Sequence, residues 1–98
     1  MAQIVETTWW LEWRTSEYLH WARLRIFQDG TAEVFDLDGK YHHFPNCESA
    51  RLWLNEDEYS LLAHMIENCE VEAEVVPPYA SDDKSLAPLM SVDRRAAS

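Results

Sequence analysis

The chain has 98 residues, which suits one domain and leaves no room for a second core of ordinary size. Hydrophobic residues make up 47% of it, enough to pack, so wholesale disorder is excluded. The formal net charge of −10 would become only −6 with all four histidines protonated, so most of the surface repels phosphate backbones and anionic membranes.

That charge is uneven, −3 over residues 1–46 and −7 over residues 47–98. A nucleic-acid footprint would need a local basic patch, and only Arg14, Arg23 and Arg25 are placed to form one, so no nucleic-acid partner is expected. No apolar run reaches the roughly 18 residues of a membrane-spanning helix, so no membrane insertion is expected either. The start "MAQIVETTWW" has neither a basic opening nor an apolar signal core. Cys47 and Cys69 share no metal-finger or redox spacing, and reduced thiols in a cytoplasmic protein are expected.

The first half reads as strands. From Thr8 to Arg14 the side chains alternate, with Trp9, Leu11 and Trp13 on one face and Thr8, Trp10, Glu12 and Arg14 on the other. A turn at 15–17 leads into "YLHWARLRIF" (18–27), rich in aromatic and branched residues. Asp29-Gly30 signals a two-residue hairpin, "TAEVFD" a third strand, Asp38-Gly39 another turn, and "KYHHF" a short fourth strand. Four strands with tight turns describe an antiparallel meander.

The character changes at Pro45. Asn46 is placed to cap a helix "CESARLWL", and Asn55 with Glu58 three residues later resembles a capping box for a second one. Leu62, Met65, Ile66 and Cys69 then form an apolar stripe, unless the two helices run together. Residues 70–76 alternate acid with apolar and could add a last edge strand, which Pro77-Pro78 ends. Residues 77–98 lack any period and read as a disordered tail. The expected architecture is therefore one α+β domain over residues 3–76, a meander of three to four strands with one or two helices packed on one face.

The tryptophans carry the functional question. A buried ring contributes about 4–6 kcal/mol, so Trp9 and Trp13, beside Leu11, are expected in the core, with Trp53 plugging the same sheet. Trp10 falls on the polar face with Arg14, and Trp21 lies near Arg23. These four residues would make an exposed aromatic and arginine cluster, the composition of an interaction hot spot. Alternatively the tail or last strand covers this face, or the arginines merely stack on the rings.

"YHHFPNC" is the one stretch with metal-like residues close together, yet adjacent His42 and His43 point to opposite faces of a strand, and Cys47 sits at a helix start. "DLDGK" lacks the remaining acids of a calcium loop, and the two glycines build no phosphate cradle. No cofactor is expected. The leading reading is a non-enzymatic interaction module (an adaptor, assembly factor or regulatory subunit) with a protein partner, as a monomer or homodimer. The alternative is a small metal-dependent or Cys/His enzyme centred on His42, His43 and Cys47.

"RLRIFQDGTAEVFDLDGKYHHF" followed by "SARLWLNEDEY" resembles small acidic single-domain proteins of unassigned function encoded in cyanobacteria. The likeness spans roughly Trp9 to Tyr59 and rests on turn and aromatic positions. It implies a cytoplasmic, photosynthesis-associated setting and carries no functional residues across.

Overall fold

The computed structural model describes residues 3–15, 18–71 and 75–93. The meander forms as its turns predict: β1 (Ile4–Thr15), β2 (Tyr18–Phe27), β3 (Ala32–Phe35) and β4 (Tyr41–Phe44) pair antiparallel in sequence. A two-residue strand, β5 (Ser60–Leu61), adds to the far edge of β1, giving the order β4-β3-β2-β1-β5. The two Asp-Gly hairpins are longer than expected. In each only the glycine has positive φ, +91° at Gly30 and +77° at Gly39. Gly30 N donates to Phe27 O and Phe27 N to Thr31 O, and Asp36, Gly39 and Lys40 repeat the pattern. That is a three-residue loop with glycine in the left-handed position. The aspartates pin the loops, Asp29 Oδ1 accepting from Thr31 N and Asp36 Oδ1 from Asp38 N and Lys40 N.

The α+β architecture is as expected, an antiparallel sheet with short helices, and those helices pack on both faces of the sheet. Helix α1 (Cys47–Glu56) covers the face bearing Trp10, Ala22, Leu24, Ala32 and Val34, inserting Ala50 and Leu54. Helix α2 (Leu62–Glu67) supplies Met65 to the opposite face, where Leu11, Leu19, Trp21 and Phe35 lie. A strand buried on both sides has apolar residues in both phases of its alternation. Trp10 followed by Leu11, and Trp21 followed by Ala22, obey that pattern.

Asn46 caps α1 as expected, its Oδ1 accepting from Ser49 N at 2.8 Å. The second start signal fails, because Asn55 stays inside α1 and α2 begins at Leu62. Instead α1 ends in a left-handed turn at Glu58, φ +65°, where Tyr59 N donates to Leu54 O and Glu58 N to Asn55 O. That paired closure is a Schellman motif, and its usual apolar contact is the buried pair Leu54 and Tyr59. Cys69, φ +60°, closes α2 the same way, with Glu70 N on Met65 O and Cys69 N on Ile66 O. The turn throws Cys69 out of the stripe, so it is exposed rather than core. Of the edge strand expected over 70–76, residues 72–74 lie outside the described residues, and Val71 and Val75 are not in a strand.

The domain does not stop at residue 76. Asp82 caps a short helix α3 (Asp83–Leu86), accepting from Ser85 N at 2.7 Å, and a 3-10 turn (Ala87–Leu89) leads into β6 (Ser91–Asp93). Leu86 and Met90 are buried against Trp21 and Phe35, Trp21 N donates to Met90 O at 2.7 Å, and β6 pairs antiparallel with Tyr18–His20 of β2. Where a disordered tail over 77–98 was expected, its described part folds onto the sheet; residues 94–98 lie outside the described residues. Two apolar anchors four residues apart suffice here, because short β3 leaves the first half of one β2 edge open for β6.

Candidate functional site

Trp10 and Trp21, the two rings expected in one exposed cluster, are not brought together. In the β1–β2 register Trp10 opposes Ala22 and Trp21 opposes Leu11, which sends the two rings to opposite faces. Trp10 is 6% exposed beneath α1, with Nε1 donating to Thr8 Oγ1 at 3.1 Å. Trp21 is 2% exposed on the other face, edge-on to half-buried Trp9 at 6.1 Å between ring centroids. The side chains of Trp13 and Arg14, expected in the core and in the cluster respectively, lie outside the described ones. Of the readings open in the sequence, a covered face is the one found, and the C-terminal segment covers the Trp21 side.

Arg23 shares that side and is buried. Its Nη1 and Nη2 donate to the two carboxylate oxygens of Asp83 at 2.8 and 3.1 Å, its guanidinium lies 4.9 Å from the Phe35 ring centroid, and Tyr41 Oη donates to Asp83 as well. The Arg23 bond, reinforced by Tyr41, holds the Asp83 carboxyl down at about 2 against the opposing effect of burial. The same bond to Asp83, together with burial, pushes the Tyr41 hydroxyl up. Among the described residues, Nε of Arg23, Nε of Arg25 and Oε1 of Glu33 are buried without a hydrogen-bond partner. Asp83 and Tyr41 escaped the sequence reading; the one available signal was the spacing Asp83, Leu86, Met90 behind the capping Asp82.

The histidine and cysteine set is divided as well. His42 opposes Val34 on the α1 face, and His43 opposes Glu33 on the other and is exposed. His42 Nε2 lies 2.6 Å from Asp36 Oδ2, and its ring stacks on Trp53 at 4.6 Å. Burial works to raise the Asp36 carboxyl, but bonds from His42 and the amides of Lys40 and Asp38 outweigh it and hold it below the usual carboxylate range. Cys47 is half-buried at the first turn of α1, packed on the core. Among the described residues no three His, Cys, Asp or Glu side chains converge on a metal position. A three-ligand metal centre on His42, His43 and Cys47 is therefore not assembled, since the two histidines point to opposite faces of β4. Beside this region an open cavity of about 320 Å³ is lined by Glu12, His20, Asp36, Trp53, Asp57 and Tyr59. His20 Nδ1 sits 3.5 Å from buried Glu12 Oε1, and the carboxylate-rich lining favours cations over anions.

A different surface is left open. Among the described residues the outer edge of β1 is paired by β5 only at Trp10 and Leu11, so Ile4–Trp9 presents an unpaired backbone. Val5 sits at a register shift in the ladder to β2 and is 62% exposed, with Ile4 exposed beside it. The segment "IVETTW" has neither lysine nor proline, the residues that usually guard an edge. The opposite edge, β4, is four residues long and is followed at once by Pro45. Compared with family models, curated proteins and solved structures, this chain finds no match.

Proposed function

We propose that this chain is a non-enzymatic interaction module of the cytoplasm that recruits a protein partner by strand addition along the open edge of β1. The observation supporting this reading is the unpaired edge Ile4–Trp9 with its exposed Ile4 and Val5. An extended partner segment placed there gains main-chain hydrogen bonds, while alternate side chains meet the faces of the sheet. With a net charge of −10, the favoured partner segment is basic. The partner's own edge then becomes the end of the sheet, which leaves the fold of the module untouched.

The test uses Val5→Lys and Thr7→Lys, both at exposed positions of the edge. Partners captured by the wild-type chain should be lost from both variants, while urea melts stay within about 0.5 kcal/mol, the usual range for surface changes. Amide exchange should slow across residues 6–9 when the captured partner is added back. Unchanged capture by both variants, or protection elsewhere only, would reject this reading.

A further inference from the structure

We infer that the C-terminal segment Ala80–Asp93 is an exchangeable arm, which closes on its own sheet in the monomer and on the sheet of a second copy in a dimer. Its contacts with the rest of the chain are of a kind that does not depend on which copy supplies them. Asp83 binds Arg23 and Tyr41, Leu86 and Met90 fill the cluster around Trp21 and Phe35, Ala87 abuts the Gly39 turn, and β6 pairs with Tyr18–His20. All of these lie on or beside the sheet. The same segment from a second molecule makes every one of them, so exchange loses no contact.

The connector supplies the preference for exchange. Residues 75–79, Val-Val-Pro-Pro-Tyr, are neither helix nor strand, and the adjacent prolines hold the chain extended. Val76 is 71% exposed and Tyr79 86% exposed, the most exposed of the large apolar side chains among the described residues. No described residue of the closed monomer buries them. In the exchanged dimer two connectors cross side by side, and Val76 and Tyr79 of one copy meet those of the other. This new apolar contact offsets the entropy lost on association. Charge agrees with the occupant, because buried Arg23 and Arg25 beside it outnumber Glu33, 3.9 Å from Arg23, and the arm brings Asp83 to them.

Complementary charge variants test the exchange. Arg23→Asp and Asp83→Arg each set like charges against one another when the arm closes within its own chain. Mixed and refolded together, they match at both grooves only if each arm crosses to the other molecule. The expected result is a 1:1 heterodimer by light scattering that melts at a higher temperature than either variant alone. A mixture of monomers, each melting as it does by itself, overturns the inference. Should either variant fail to fold alone, the wild-type chain refolded at high and at low concentration decides. A dimer fraction that grows with refolding concentration and persists for hours after dilution supports exchange, because the arm must open to return. A chain that stays monomeric at every concentration, or a dimer that dissociates at once on dilution, overturns it.

Discussion

Arg23 and Asp83, sixty positions apart, are joined by two parallel hydrogen bonds of 2.8 and 3.1 Å that fasten the C-terminal segment to the sheet. The arginine is buried and its partner partly solvated, so the two ends of this bridge respond differently to substitution. Asp83→Ala leaves a buried guanidinium with, among the described residues, the Glu33 carboxylate at 3.9 Å as its remaining ion-pair partner. The expected cost is about 2–3 kcal/mol, below the 3–5 of a fully buried pair because water reaches the aspartate side. Urea melts of the variant against wild type measure it.

Acid should loosen the same bridge. The Asp83 carboxyl lies at about 2 when folded and near 3.8 when free, so the unfolded chain takes up its proton first. Its stabilisation is complete above about pH 4, falls as pH drops from there toward 2, and is gone below. Allowing for solvent screening, about 1–2 kcal/mol is at stake. Melts across this window should show a shallower decline for Asp83→Asn than for wild type. Parallel curves would mean that Asp83 does not carry this dependence.

Trp10 and Trp21 should both behave as core residues although they sit on opposite faces. Trp10→Ala and Trp21→Ala are each expected to cost about 3–5 kcal/mol, while half-buried Trp9 tolerates truncation better. A Trp10→Ala chain melting within about 1 kcal/mol of wild type would contradict the burial beneath α1.

The C-terminal anchors are part of the fold, so their loss should be felt throughout it. Leu86→Ala and Met90→Ala are expected to cost about 2–5 kcal/mol each. Limited proteolysis at exposed Tyr79 should then lower the melting temperature of the remainder rather than leave it unchanged. A trimmed product as stable as the whole chain would show that the segment is dispensable.

Glu58 closes α1 at φ +65°, a conformation that glycine adopts freely and a β-carbon resists. Glu58→Gly is expected to raise stability by about 0.5–1 kcal/mol, the relief at the turn exceeding the added freedom of the unfolded chain. A fall in stability on thermal or urea melting would mean that the glutamate side chain contributes more than its backbone costs.

The local elements were legible in the sequence because their causes are local. Alternation, the Asp-Gly pairs and the Asn46 cap specify four strands, two hairpins and α1, and all are present, with each hairpin loop one residue longer than the Asp-Gly pair alone signals. Alternation also divided Trp10 from Trp9 and Leu11 correctly. What it could not supply is whether a given face meets water. Trp10 beside Thr8 and Glu12 reads as a polar face until α1 is laid across it, and Trp21 reads as exposed until Leu86 and Met90 arrive from sixty-five positions and more downstream. The Arg23–Asp83 bridge was invisible for the same reason: an aspartate in a Ser-rich stretch has no signature until the fold sets a buried arginine opposite it. The open edge of β1 likewise depends on β5 being only two residues long, which is decided by where α1 ends and α2 begins. Secondary structure follows from neighbours along the chain, whereas exposure and pairing follow from neighbours in space, and the candidate site is made of the latter.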